Sequence, residues 1–335
     1  MAVVVGLLAC PAAAAVVILE NRTSAKIDFT VQVDAGPPSR HGLTPGDLLP
    51  VAAAAPLSIV FDAQGRARRY ILQANSIHYF LRRDEKLDLF ELPLPPALRA
   101  DANSRTAPPD AVLTVPVKIL ADDDEPRVQS VWEKRIRTRL AAASEIFERH
   151  CRVRFQVVAV GGWSSDKSVR VFEQSLREFE QKVPSAPARL AIGFTGRFQW
   201  VPGEVHLGGT REPLGSHILI REALRQVAEP ERLEVLVHEL GHFLGAVHTP
   251  DNTSVMRRKL ADRQSRARAF RIGFDACNTL AMNLLADELR TAPVRDLRQL
   301  SPTAKSRLRG IYSILAQAMP DDPAAARCLA LTSVP

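Results

Sequence analysis

Apolar and polar positions divide the chain into two stretches of different period. From Val16 to about Leu92 the period is two: Ile27, Phe29, Val31 and Val33 alternate with Lys26, Asp28, Thr30 and Gln32, the pattern of a strand with one buried and one wet face. Similar short runs at 57–62, 67–73, 76–81 and 86–92 are separated by breaks such as Ala63-Gln64-Gly65-Arg66. Short strands so closely punctuated predict a small β-sandwich-like domain over 16–92. Its histidines, His41 and His78, have no ligand-type residues around them and read as structural. Residues 93–111, rich in proline and alanine, lose the apolar period and read as a linker.

Beyond the linker, strand-like and helix-like patterns are mixed, which places the second stretch in the α+β class. A strand over 112–120 precedes a helix over 127–150 with apolar positions at Val128, Val131, Trp132, Ile136, Leu140, Ile146 and Phe147. A strand at 153–160 and a helix at about 166–182 follow, with Asp166 near the N-cap of that helix. Further strands are expected at 190–194, 204–208 and 217–221, then a helix at about 230–244. Two more helical stretches, 274–290 and 304–318, lie in the C-terminal third. The domain proper is expected to span 112–300 and a C-terminal helical extension 301–335.

The chemistry concentrates in Leu233–Met256. Leu233, Leu236, Val237, Leu240 and Leu244 recur at helical spacing, so one face of this helix is built for burial. His238 and His242 are four apart, which puts both imidazoles on one face within reach of a common ion. Imidazole suits zinc, and Glu239 can take a proton from a water on that ion without being a ligand. Gly245 ends the helix, because glycine takes the left-handed C′ conformation readily. The turn brings His248 round as a third ligand. Three protein ligands leave a fourth position open, which separates catalytic from structural zinc. The plain alternative is a buried helix whose histidines are satisfied by hydrogen bonds.

The run His238-Glu239-Leu240-Gly241-His242-Phe243-Leu244-Gly245-Ala246-Val247-His248 resembles the HExxHxxGxxH motif of the metzincin metallopeptidases, and Thr253-Ser254-Val255-Met256 resembles their Met-turn. Met256 lies eight residues beyond His248, a spacing similar to the matrixin branch. The resemblance covers about 112–290. It implies a mixed twisted sheet with helices, a zinc helix, a Met-turn, C-terminal helices and one catalytic Zn2+. It also implies an edge strand through Val205, His206, Leu207 and Gly208, along which a protein or peptide substrate extends through main-chain hydrogen bonds. His206 is not expected to bind metal. The matrixin proline after the Met-turn is missing, and neither Arg257 nor Arg258 is the tyrosine that some metzincins place there.

Composition is that of a folded soluble chain, 46% hydrophobic and 24% charged over 335 residues. The net charge of +7 is spread over many arginines without a nucleic-acid motif, so nucleic acid is not an expected partner. Seven basic residues between 257 and 271 stand against Asp262 alone. They imply either a preference for acidic residues beyond the cleaved bond or a solvated loop. Ala2–Leu19 carries no charge and contains a run of small residues at 11–15, resembling a secretory signal peptide over 1–15. Leu7-Leu8-Ala9-Cys10 resembles a lipobox, and a membrane partner is expected only if Cys10 is lipidated. Of the four cysteines, 10, 151, 277 and 328, three remain once Cys10 is removed or acylated. Either Cys277 bridges Cys328 or all three are buried thiols.

These readings combine into an exported zinc endopeptidase preceded by a β-sandwich. The rival is a surface or partner-binding protein that keeps the zinc fold as a scaffold.

Overall fold

The computed structural model describes residues 16–52, 56–95, 111–125, 127–169, 171–196, 207–222, 227–260, 262, 264–267 and 271–333. The chain forms two compact units, Met1–Ala111 and Val112–Pro335. The signal-like stretch 1–15, Cys10 and most of the expected linker lie outside the described residues.

The first unit holds eight strands: β1 (Val16–Asn21), β2 (Ile27–Val33), β3 (Ser39–Leu43), β4 (Leu48–Ala52), β5 (Leu57–Asp62), β6 (Ala67–Leu72), β7 (Ser76–Arg83) and β8 (Lys86–Glu91). They form two four-stranded sheets, ordered β4-β1-β7-β8 and β3-β2-β5-β6. Only β1 and β7 pair in parallel among these strands. The alternating residues of β2 and β5 meet those of β1, β7 and β8 in one core, which is how two half-buried sheets hide their apolar faces. Phe80 packs 5.3 Å from Phe29 and edge-on 5.2 Å from Phe61. His41 stacks on Phe29 and His78 meets Ser76, so neither belongs to a ligand cluster. The edge strands β3 and β4 do not stand out in the sequence: β3 is mostly exposed, and β4 is half-buried along its whole length.

The second unit is α+β. A five-stranded sheet ordered β10-β9-β11-β13-β12 is built from β9 (Leu113–Asp122), β10 (Val153–Trp163), β11 (Leu190–Thr195), β12 (Gly208–Gly209) and β13 (His217–Arg221). All its pairings are parallel except β12 with β13. Helices α1 (Gln129–Cys151) and α2 (Phe172–Lys182) provide the long crossovers that parallel strands require. α3 (Glu229–Phe243) follows β13, and α4 (Ala276–Thr291), α5 (Pro302–Ala318) and α6 (Pro323–Ser333) complete the unit.

Three expectations are corrected. α2 starts at Phe172 after Val171, not near Asp166; the Asp166 carboxylate accepts instead from the Ser168 N–H, a local turn that competes with helix. The three described cysteines are free thiols, so the Cys277–Cys328 bridge is not formed. Burial pushes the Cys151 and Cys328 thiols up to about 12. In α3, Leu233 is only half-buried while Glu234 is fully enclosed, because Glu234 pairs at 2.6 Å with a buried Arg257.

A buried ion pair ties α1 to the start of α3. Arg139, 3% exposed, donates to both oxygens of Glu222 at 2.8 and 3.0 Å and through Nε to Glu229 at 2.5 Å. Removing the cation leaves Glu222 Oε2 without its partner in a buried site, while Arg232 still holds Oε1 at 2.6 Å. Arg139→Ala is expected to cost about 3–5 kcal/mol of unfolding free energy. Arg137→Ala, which breaks a more exposed pair with Glu133 on the same helix, should leave stability close to that of the parent. Denaturant titration of both variants reads the contrast, and equal losses would contradict it.

Candidate metal centre

α3 begins with Pro230 in its first turn, where a missing N–H costs nothing, and with the Glu231 carboxylate accepting from Ala228 N–H at 2.7 Å. It ends at Gly245, whose φ is +81°. Gly245 N–H reaches the His242 carbonyl at 3.0 Å and Ala246 N–H the Gly241 carbonyl at 2.9 Å, the paired bonds of a Schellman turn. Residues past this turn fold back beside the helix.

Further bonds fix the returning loop. Asn278 on α4 accepts from Val247 N–H at 2.8 Å and donates to the Val247 carbonyl at 2.9 Å. Asp275, which caps α4 through Asn278 N–H, also receives the Ser254 hydroxyl at 2.9 Å. Tyr312 on α5 donates to the Gly245 carbonyl at 2.9 Å. Met256 is fully buried, with its sulfur so close to Gly241 that a Cβ there would sit 2.8 Å away.

His238, His242 and His248 are thereby brought together, one ring nitrogen of each lying within 4.8 Å of the others. His238 Nδ1 lies 2.8 Å from the Val255 carbonyl, and His242 Nδ1 2.9 Å from the Ala246 carbonyl. A carbonyl only accepts, so both Nδ1 atoms carry the hydrogen and both neutral rings present a bare Nε2. Those two Nε2 atoms face each other at 3.0 Å. Two lone pairs at that distance repel; a cation between them turns the repulsion into ligation. His248 Nδ1 lies 2.7 Å from the Asp322 carboxylate, so Nε2 is the ring nitrogen left for a ligand. Burial, with help from the neighbouring rings, holds His238 well below its ordinary pKa and His242 at about 4, so both are neutral and free to ligate. Three convergent imidazole donors fit zinc or a similar borderline metal.

Glu239 is 4% exposed, and burial raises its pKa to about 8. Its Oε2 has no hydrogen-bond partner among the described residues. Above it runs β12, where a Cβ on Gly208 would stand 2.9 Å from Glu239 Cγ and 3.0 Å from Oε1. Leu207 accepts from Arg221 N–H at 2.8 Å, and Gly208 pairs with Ile220. β12 is the last strand in the order of its sheet. Of the expected edge strand, Leu207 and Gly208 are therefore placed beside Glu239, while Val205 and His206 lie outside the described residues.

The basic loop departs from expectation. Arg257 is buried between Glu234 and Asp262, Arg266 meets Glu231 at 2.5 Å, and Arg258 meets Asp322 at 3.2 Å. Three of its acidic partners come from outside the loop, so folding pairs at least three of the seven charges that the local sequence presents as an excess. Arg263 and Arg268 lie outside the described residues. Sequence reasoning also missed Asn278, Tyr312 and Asp322, which approach the site from far along the chain and belong to no local motif.

Residues 117–268, which include all three histidines, Glu239 and Met256, match the model of Metallo-peptidase family M12. No curated protein matches the chain. Among solved structures, archaemetzincin from Methanopyrus kandleri is similar at 16% identity and a TM-score of 0.40, over 52% of this chain and 96% of its own. A chaperone–substrate complex is similar at 10% identity and a TM-score of 0.37, over 82% of this chain and 42% of its own.

The turn at Gly245 makes a direct test of the loop geometry. Alanine there meets a left-handed backbone and places its Cβ 2.9 Å from the Tyr312 hydroxyl and 3.1 Å from Leu285. Gly245→Ala is expected to lose at least about 2 kcal/mol of stability, combining the αL penalty with overpacking. A loss below about 0.5 kcal/mol in denaturant titration would be incompatible with this turn.

Proposed function

We propose that the chain is an exported zinc-dependent endopeptidase. The observation that carries this reading is the convergence of three imidazoles, two of them with bare Nε2 atoms, beside a buried carboxylate that has an unsatisfied oxygen among the described residues, next to β12, the last strand of its sheet among those residues. His238, His242 and His248 would hold the metal. Zinc in that position supplies Lewis acidity, which polarises a carbonyl oxygen and acidifies water.

The remaining work falls to the protein's own groups. Glu239 acts as general base, accepting a proton from the attacking water and passing it to the leaving amine. Burial alone holds its pKa at about 8, and a cation at the three histidines would favour the ionised form that accepts the proton. The edge at Leu207 and Gly208 offers main-chain hydrogen bonds to an extended peptide, an arrangement that favours protein or peptide substrates with little demand on side chains. Gly208 lets that backbone lie against Glu239, because any larger residue would occupy the carboxylate's place. Val205 and His206 extend the same edge on the evidence of sequence alone. Met256 forms the floor beneath Gly241.

The family match supports a metallopeptidase of the M12 kind, and the eight residues from His248 to Met256 favour a matrixin-like turn; the mechanism is the same for both. Export is supported by the charge-free residues 2–15, since Val16–Leu19 of the same apolar run are buried in the first unit. Lipidation of Cys10 would make the exported protein membrane-anchored.

The test uses three variants of the full chain. Glu239→Gln keeps every imidazole and should retain stoichiometric zinc while losing on the order of 10²–10⁴-fold in peptidase rate. Gly208→Ala should likewise keep the metal and lose rate, by displacing the carboxylate. His248→Ala should weaken the metal itself, because two ligands make a poor cage. Chelation should abolish cleavage by the parent, and zinc should restore it. A parent that holds zinc yet cleaves no unstructured substrate would favour the scaffold reading instead.

A further inference from the structure

Of the three metal-facing histidines, two are oriented by backbone carbonyls from the loop that the zinc helix itself feeds. The third is oriented differently. His248 Nδ1 lies 2.7 Å from Oδ2 of Asp322, which stands 74 positions along the chain at the turn into α6. Asp322 is 6% exposed, and three contacts besides His248 hold it. Its Oδ1 accepts from Ala324 N–H at 2.9 Å, its own N–H reaches the Met319 carbonyl at 3.1 Å, and Arg258 Nε lies 3.2 Å from Oδ2. α6 is in turn joined to α5 by Arg309, which donates to the Thr332 carbonyl at 2.7 Å. α5 carries the Tyr312 hydroxyl that bonds to Gly245. The helical pair thus touches the metal site at two points, the helix-ending turn and the third ligand. Both helices lie outside the residues matched by the family model.

We propose that Asp322 is the positioning residue of the third metal ligand, so that α5 and α6 complete the metal centre rather than merely following it. The carboxylate accepts the Nδ1 hydrogen of His248, fixes the tautomer that presents Nε2, and raises the donor strength of that nitrogen. A charged acceptor binds the imidazole hydrogen more strongly than a carbonyl does. That difference matters for His248, which sits in a loop, whereas His238 and His242 ride on a rigid helix. The proposal rests on reading the three histidines as a metal site.

The test must separate orientation of His248 from capping of α6, since Asp322 does both. Asp322→Ser keeps an N-cap oxygen for Ala324 but is too short to reach the imidazole. Asp322→Asn keeps length and a neutral acceptor. Metal-free full-length parent and variants would be titrated with Zn2+ against a chromophoric chelator, and loaded with Co2+ for the visible absorption spectrum. Asp322→Ser should unfold close to the parent in the metal-free state, yet bind zinc about 10–100-fold more weakly with an altered cobalt spectrum. Asp322→Asn should recover part of the loss. In a His248→Ala background, Asp322→Ser should cost no further affinity, because the group it orients is gone. Parent-like zinc affinity in Asp322→Ser, or equal losses with and without His248, would overturn the proposal while leaving the metal site intact. A parent that binds no zinc would remove the metal-site reading and the proposal together.

Discussion

Two imidazole nitrogens with bare lone pairs 3.0 Å apart, with a third ring beside them, cannot satisfy one another, and the second unit is arranged so that they cannot turn away. Each ring is pinned at its other nitrogen by an acceptor from a different place: Val255 just before Met256, Ala246 just past the helix, and Asp322 at the head of α6. The acceptors must themselves be fixed for the pinning to hold. Asn278 grips Val247, Ser254 binds Asp275 at the cap of α4, and Tyr312 grips Gly245. Acceptors kept facing one another in a partly buried site are costly in a protein without a ligand. A divalent cation is the group that makes the cost disappear.

The same helix shows how selectively its acids are treated. Glu231, Glu234 and Glu239 are all buried along α3. Arg266 meets the first and Arg257 the second, at 2.5 and 2.6 Å. No guanidinium is paired with Glu239 among the described residues, and burial alone raises its pKa to about 8. Packing therefore does not explain the difference, since a core that supplies arginines twice within one helix has the means to do so again. A perturbed, unpaired carboxyl next to a ligand cluster marks a functional position.

What was legible in the sequence is what one element encodes within itself. The four-residue spacing of His238 and His242, the stop at Gly245 and the alternation of β2 each depend on local geometry, and local geometry has a period. What was not legible depends on residues that meet only after folding. Arg257 read as free loop charge because its partner Glu234 lies 23 positions earlier in a helix. Leu233 read as core because periodicity weighs hydrophobicity and cannot see that a paired glutamate displaces it. β3 and β4 lack a two-residue burial period because edge strands need only one good neighbour. Asp322 precedes Pro323 in an ordinary helix-start sequence, where capping fully accounts for an aspartate; only the His248 contact gives it a second role. Asp166 failed in the opposite sense, for its local turn bond with Ser168 outcompeted the cap that the sequence suggested.

The helical pair α5–α6 brings a thermodynamic consequence. An ion that binds the folded arrangement alone stabilises every element needed to hold that arrangement, by an amount that grows with its concentration over its dissociation constant. His248 is held by Asp322, Asp322 by the start of α6, and α6 by α5. Metal binding at the three histidines would therefore be linked to the order of the C-terminal third, although none of the three comes from it. The linkage is reciprocal: whatever loosens α6 weakens the third ligand, and whatever removes the metal leaves α6 with only its own packing and caps. A motif of eleven residues supplies the donors, but the free energy that keeps them convergent is drawn from the chain as far as Thr332.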